Sequence, residues 1–432
     1  MKLPFLLVKN MNISGLIKDN YKLSFISFER KTEMELENLI NKQIYQYKNT
    51  ALLIGSANYP FSKVLLGKTY PFDLNAAEYT LGNRIFPGCE ILDQIEKKGI
   101  EYSKKFLQLG NEYGASLSLY SGTQANQVVY NAILKPDDRV LVFSEESGGH
   151  ASHISFLKKY YQLIEYKFSL KNEIDYEAIS YLIQQYKPKL VIAGSTLYPE
   201  SINYRKLSEF CKINNSLLLA DISHTALYVA TGEHDPVRGY ADFITYTTHK
   251  TTRGIRSAVL NYKKDFEKEI IDSLSSVSQG APKYSDVLCN TIMFEELNNL
   301  NSLQYQNSIF RCTSLFKSMA SELGLTTIGT GKSHMLLLNL QKGNLNGDFL
   351  KNLYESNNIY VTYHKTIDGE VIRFGFLTLA TLGFTTEDLI KLYEIILNLT
   401  IHSNNSQNKY KEDVGKIINK YTDKFYRENY KL

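Results

Sequence analysis

Apolar and polar positions fall into three regimes along the chain. Residues 1–50 are polar with helical spacing, broken at Asn49-Thr50 before the apolar run Ala51 to Ile54. From about residue 90 to 110, Ile91, Ile95, Phe106 and Leu109 recur at intervals that predict an amphipathic helix. Short apolar runs then alternate with helical patterns as far as about residue 262. The runs predict strands at Arg139–Phe143, Leu190–Gly194, Ser216–Ala220, Phe243–Tyr246 and Ser257–Tyr262, with helices such as Tyr176–Tyr186 and Lys206–Ile213 between them. After about residue 285 a long helix leads into a smaller α+β section with strands near Met335–Leu340 and Val371–Phe374, and the tail from about 401 reads as polar helix. The predicted organisation is an N-terminal helical arm (1–55), a large domain (56–285), and a linking helix with a small C-terminal domain (286–432).

Strand–helix alternation of this kind predicts an α/β fold on a mostly parallel sheet with helices on both faces. In such sheets ligands bind beyond the carboxyl ends of the strands. The polar clusters fall there: Ser121-Gly122-Thr123, Ser195-Thr196, Asp221 to His224, and Thr247 to Lys250.

Composition narrows the partners more than the fold. A chain of 432 residues buries a large core. With 49 basic and 45 acidic residues the net charge is +4, too balanced to imply nucleic acid or a membrane surface. Four scattered cysteines without a CxxC pair argue for a reducing compartment and against a disulfide scaffold or zinc site. The run Leu3 to Val8 is closed at once by Lys9 and Asn10, too short for a signal sequence, and no stretch is long enough to span a bilayer. A cytoplasmic protein with no metal, nucleic-acid or membrane partner is expected. His150 and His153 sit three apart but lack a third ligand at metal spacing, so a metal pair is not expected.

The chemistry concentrates in Ala241 to Lys250, an apolar strand ending in hydroxyls, a histidine and a lysine. A lysine at a strand end can form a Schiff base when burial or nearby cations lower its pKa; taken alone it reads as a solvated loop residue. Asp221 closes the apolar run Leu217 to Ala220, where a carboxylate needs a partner. A pyridinium nitrogen would be one, and a helix N-cap is the ordinary alternative. Ser121-Gly122-Thr123 opens an apolar helix, whose N-terminal N–H groups suit a phosphate or a simple cap. The order of the three (phosphate cup, strand-end aspartate, strand-end lysine) is more specific than any one of them.

In that order, the chain resembles the serine hydroxymethyltransferase family, with its fold-type-I pyridoxal phosphate architecture: a large domain on a seven-stranded type of sheet and a small α+β domain. The markers run from about Ile54 to Leu379. They include Gly55-Ser56-Ala57-Asn58-Tyr59, Gly88-Cys89-Glu90, Ser121-Gly122-Thr123-Gln124-Ala125-Asn126, Gly148-Gly149-His150, Asp221-Ile222-Ser223-His224, Thr247-Thr248-His249-Lys250, Arg256, Gln279-Gly280 and Ile372-Arg373-Phe374-Gly375. The resemblance implies pyridoxal 5'-phosphate in Schiff-base linkage to Lys250, with Asp221 on the ring nitrogen. Ser121, Gly122, Thr123 and His249 would serve the phosphate, with Gly280 reaching in from a partner subunit. Thr196 and His224 would lie near the ring hydroxyl, and Ser147 is read at the position of the ring-stacking histidine. Arg373 would clamp a substrate carboxylate, with Phe86 near it and Ser56 approaching the neighbour's substrate. Glu78 would transfer protons across a homodimer with shared active sites. Lys250, Glu78, Asp221, His224 and Thr247 form the expected catalytic set.

The resemblance also implies the reaction: glycine or a β-hydroxy amino acid changed at Cα–Cβ through a quinonoid intermediate. Several family positions differ. Ala76 replaces a phosphate-contacting tyrosine, Ile85 and Phe86 replace two tyrosines, Pro87 a glycine and Ala57 a glutamate. The segment Tyr363 to Gly369 is short where the family grips the pterin. These changes argue against tetrahydrofolate and for an aldolase- or transaldolase-like enzyme with an aldehyde co-substrate. A folate-dependent serine hydroxymethyltransferase with a divergent pocket, a non-catalytic cofactor binder, and other Cα chemistry (racemisation, decarboxylation, β-replacement) are the alternatives.

Overall fold

The computed structural model describes residues 26–171, 173–341, 346–402 and 407–430. The chain divides into two compact units, residues 1–48 and 49–432. In the first, the helix Ile26–Lys48 fills the C-terminal half of the predicted polar helical region. The run Leu3 to Val8 lies outside the described residues.

The second unit is built on a seven-stranded sheet. Its strands are β1 (Tyr113–Leu119), β2 (Arg139–Phe143), β3 (Gln162–Tyr166), β4 (Leu190–Ala193), β5 (Leu217–Asp221), β6 (Phe243–Thr247) and β7 (Ala258–Lys263), in the spatial order β1-β7-β6-β5-β4-β2-β3. Neighbours from β6 to β3 pair in parallel, and β7 runs antiparallel to both β6 and β1. The mostly parallel α/β sheet expected from the sequence is present. Side chains alternate between its two faces, as strand geometry requires. Leu141, Phe143, Val191, Ala193, Leu218 and Ala220 enter one core, and Val140, Val142, Leu190, Ile192 and Leu219 enter the other. A sheet covered on both faces has no polar side, which is why these strands read as continuous apolar runs.

Two strands escaped the sequence pattern. β1 reads Tyr-Gly-Ala-Ser-Leu-Ser-Leu, and its small and hydroxylated residues mask a segment buried throughout. β3 is an edge strand with Gln162 and Glu165 exposed. The predicted helix near 90–110 spans Glu90–Phe106, but it turns Leu92, Glu96, Gly99, Ser103 and Phe106 inward. Ile91, taken as part of its apolar face, is 64% exposed. The inward face is partly polar because Arg84 Nη2 meets Glu96 Oε2 at 2.6 Å.

A four-stranded antiparallel sheet follows the helices Tyr284–Asn299 and Ser302–Glu322. Its strands are β8 (Thr327–Ile328), β9 (Met335–Asn339), β10 (Thr362–Thr366) and β11 (Gly369–Gly375), in the order β8-β9-β11-β10. Residues 51–53 attach here: Ala51–Leu52 pairs in parallel with Ile359–Tyr360, and Gly375 N–H donates to Leu53 O at 2.8 Å. A Cβ on Gly375 would meet Gly55 Cα at 2.4 Å, so this close backbone approach excludes side chains. The tail is the helix Lys411–Tyr430.

Leu219 is fully buried in the central strand. Leu219→Ala should destabilise the protein by about 2–5 kcal/mol, whereas Ile213→Ala should stay within about 0.5 kcal/mol. Ile213 is 78% exposed at a helix end. Denaturant midpoints of the two variants provide the comparison.

Candidate active site

The carboxyl ends of the parallel strands open into a cavity of about 580 Å³. Ser56, Ser121, Gly122, Thr123, Thr196, Asp221, His224, Thr247, His249, Lys250 and Arg373 all line it, brought together from residues 56 to 373 of the sequence. Because β7 runs antiparallel, its N-terminal end also points here, which adds Arg256 and Ser257.

Lys250 lies in the turn after β6 and is 7% exposed. The turn is held by its own hydroxyls: Thr248 Oγ1 donates to Ile255 O at 2.7 Å and Thr252 Oγ1 to Thr248 O at 2.7 Å. Gly254 N–H donates to Thr248 O at 2.6 Å. Burial lowers the Lys250 ammonium to about 8; Arg373 and Arg256 push it the same way, and Asp221 opposes them. A lysine in that position has an appreciable neutral, nucleophilic fraction near neutrality.

Asp221 ends β5. Burial alone would push its carboxyl up, but His153, Ser223 and the Lys250 charge outweigh that and hold it well below the usual carboxylate range. His153 Nε2 lies 3.0 Å from Oδ2, Asn126 Nδ2 donates to the same oxygen at 3.1 Å, and Ser223 N–H donates to Oδ1 at 3.0 Å. Behind them Thr245 Oγ1 donates to Asn126 Oδ1 at 2.7 Å, and Tyr130 Oη bonds His153 Nδ1. The aspartate is therefore ionised and oriented, suited to hold a proton on a ring nitrogen.

Ser121 caps the helix Gly122–Ile133, its hydroxyl accepting from Gln124 N–H at 3.2 Å. In the same cavity, Thr247 Oγ1 and His249 Nδ1 are buried without a hydrogen-bond partner among the described residues. Burial, then the charges of Lys250 and Arg256, lowers His249 to about 3, so its imidazole is neutral. His224 is likewise held neutral by burial and the Lys250 charge, and its Nδ1 lies 3.1 Å from His334 Nε2.

Arg373 comes from β11, an interior strand of the small sheet rather than an edge. Its Nη1 donates to Thr196 O at 2.6 Å and its Nε to Thr362 Oγ1 at 3.1 Å. A Cβ on Gly55 would come within 3.0 Å of Nε, so the missing side chain leaves room for the guanidinium.

One expectation changes. Ser147 does not face the cavity. It is fully buried in the turn Glu145–Ser147, donating to Phe168 O at 2.8 Å and accepting from Phe168 N–H at 2.8 Å. His150, three residues on, lines the cavity. Ser56 lines the cavity of its own chain. Glu78, Phe86 and Gly280 lie outside this chain's cavity. Phe86 is 42% exposed, and Gly280 lines a separate cavity of about 480 Å³ with Arg84 and Glu96. Finally, sequence reasoning did not select Glu145 or His364, both cavity-lining. Neither carries a motif signal; His364 enters the site through the pairing of Thr362–Thr366 with the strand of Arg373.

A buried amine of lowered pKa, an ionised aspartate and a hydroxyl-lined helix N-terminus with unpartnered polar atoms facing it match the aldehyde, ring nitrogen and phosphate of pyridoxal phosphate. Fold and site together define a pyridoxal phosphate-dependent transferase of fold type I. The family model for serine hydroxymethyltransferase matches residues 30–396. A serine hydroxymethyltransferase of Phytoplasma australiense is 33% identical over 403 residues, covering 90% of this chain and 96% of that protein. The chain belongs to the serine hydroxymethyltransferase family.

The lowered pKa sets a pH signature. The neutral amine is the nucleophile, so the rate at which the cofactor-free chain forms its covalent adduct with pyridoxal phosphate should climb with pH and level off above about 8. A profile still rising toward the ordinary lysine value of 10.5 would contradict the assigned environment. Stopped-flow absorbance measures it.

Proposed function

We propose that the chain makes or breaks the Cα–Cβ bond of β-hydroxy amino acids, releasing or consuming glycine and an aldehyde, without tetrahydrofolate. The observation that carries this reading is Arg373, a guanidinium inside the cavity that holds Lys250 and Asp221. A planar guanidinium pairs with a carboxylate through two parallel hydrogen bonds, which suits an amino acid bound through its carboxyl group.

Pyridoxal phosphate, when bound, supplies an electron sink for a bond breaking at Cα. The chain's own residues do the rest. Lys250 would hold the cofactor and give up its place to the substrate amine. Asp221 would keep a proton on the ring nitrogen, while Ser121, Gly122, Thr123 and His249 would hold the phosphate. Thr196 and His224 would serve the ring hydroxyl, and His150, Thr247 and Ser56 line the remaining wall of the cavity. Arg373 fixes the substrate carboxylate. Glu78 of the partner subunit takes the proton of the β-hydroxyl as Cα–Cβ breaks. An aldehyde leaves, and a proton delivered to Cα yields glycine. This division of labour requires a homodimer in which Glu78, Phe86 and Gly280 complete the neighbour's cavity.

Independence from folate is supported by the altered positions. Ile85 is 65% exposed where the family stacks an aromatic ring, and the hairpin turn after Thr366 is short. Folate-dependent serine–glycine exchange is the second reading, favoured by the identity of 33% over 90% of the chain to a protein named for that activity. Purified, cofactor-loaded protein should cleave threonine or another β-hydroxy amino acid to glycine at a rate indifferent to tetrahydrofolate. Acceleration of serine cleavage by tetrahydrofolate of a hundredfold or more, roughly 3 kcal/mol of barrier, would establish the second reading instead.

Arg373→Lys should raise KM for the amino acid by about tenfold or more while the cofactor adduct with Lys250 still forms. Steady-state kinetics and the absorbance of the loaded protein separate the two effects.

A further inference from the structure

Asn58 is half-buried behind Lys250, and every hydrogen-bonding position of its amide is used. Nδ2 donates to Lys250 O at 2.7 Å and to Tyr305 Oη at 3.0 Å. Oδ1 accepts from Tyr59 N–H at 2.8 Å and from Thr381 Oγ1 at 2.7 Å. The orientation is fixed by chemistry: a carbonyl can only accept and a backbone N–H can only donate, so a flipped amide would face both with the wrong group.

That orientation sets the direction of every bond around it. Tyr305 Oη accepts from Asn58 and so donates to Thr381 Oγ1, 2.8 Å away, and Thr381 in turn donates back to Asn58 Oδ1. The three side chains form a closed, one-way ring, an arrangement in which each bond polarises the next. Its members come from three separate places: the segment after residue 53, the helix Ser302–Glu322 and the helix Leu377–Leu382. Only one donor hydrogen is left over, and it points at the carbonyl of Lys250.

We propose that Asn58 is the positioning residue of Lys250. It ties the main chain of the lysine to two helices outside the seven-stranded sheet. The amine then returns to the same place each time it is released from the cofactor. The turn's own hydrogen bonds hold Thr248, whereas among the described residues the Lys250 carbonyl otherwise meets only Arg253 N–H at 3.3 Å. The inference rests on Lys250 being the cofactor lysine.

The test follows adduct formation between the cofactor-free protein and pyridoxal phosphate by absorbance, across pH, alongside thermal unfolding. Asn58→Ala and Asn58→Ser both remove the donor to Lys250; the serine hydroxyl keeps a local partner for Tyr59 N–H and guards against loss of folding. Tyr305→Phe breaks the ring but leaves that donor in place. Both Asn58 variants should slow adduct formation by about tenfold or more, the scale on which small misplacements of a reacting group act. They should also move the pH at which the rate levels. Tyr305→Phe should lower thermal stability and leave both readouts within about twofold. Equal effects in the Asn58 and Tyr305 variants, or none in the Asn58 variants, overturn the proposal. Failure of the native chain to form any adduct sinks the assignment of Lys250 itself, a distinct outcome.

Discussion

The buried negative charge of Asp221 is the constraint around which the site is organised. An isolated carboxylate in a protein interior carries a desolvation penalty of several kcal/mol, so its surroundings must supply donors or opposite charge. Here they come from four directions. Asn126 is on the helix that follows β1, His153 on the helix after β2, Ser223 follows β5 itself, and Lys250 follows β6. A parallel sheet makes this possible because it delivers all these chain ends to one edge. The second layer, Tyr130 behind His153 and Thr245 behind Asn126, extends the network into the core. Changes that look like core packing, at Tyr130 or Thr245, therefore act on the electrostatics of the site.

The same charge balance links the two sheets. Arg373 belongs to the small sheet, yet it lowers the Lys250 ammonium and hydrogen-bonds the carbonyl of Thr196 after β4. Burial alone pulls the guanidinium down to about 10, so it is a costly group without a bound anion. A substrate carboxylate would relieve that cost and at the same time offset the repulsion on Lys250. Binding and amine chemistry are thus coupled through one residue. Arg84 plays a comparable structural part elsewhere: its guanidinium meets Asp93, Glu96 and Tyr284, and its Nη1 donates to the carbonyls of Ala77 and Tyr79 on either side of Glu78. The loop that would serve a neighbouring subunit is rigid within its own.

Much of this was legible in the sequence, for identifiable reasons. β2, β4, β5 and β6 are buried on both faces, so they announce themselves as apolar runs, and the residues just past them are the cavity wall. β1 was not legible because the small residues Gly114, Ser116 and Ser118 alternate with its core residues Tyr113, Ala115 and Leu117. Ser147 was misassigned because spacing along the chain does not reveal which residue of a tight turn faces outward. The turn Glu145–Ser147 buries Ser147 against Phe168 and presents His150 instead. His364 and His334 were invisible for a different reason: each matters only through a contact with a distant segment. His334 meets His224 across 110 residues, in nearly coplanar rings at 12°. No local pattern encodes such a pair.

The cavity mouth carries the remaining specificity. The β10–β11 hairpin contributes His364 and Arg373 to the cavity wall, and its turn is fastened to the large sheet's loops. Asp368 accepts from Ser169 Oγ at 2.7 Å and from Leu170 N–H at 2.6 Å, and Ile367 N–H donates to Glu146 O at 3.3 Å. Asp368 is only 9% exposed, so these bonds are shielded from competing water. On the cavity side the hairpin presents His364, lowered to about 4 by burial and the Arg373 charge, so its imidazole is neutral in the cavity wall. A neutral imidazole offers one donor and one acceptor, well matched to a carbonyl or hydroxyl and indifferent to negative charge.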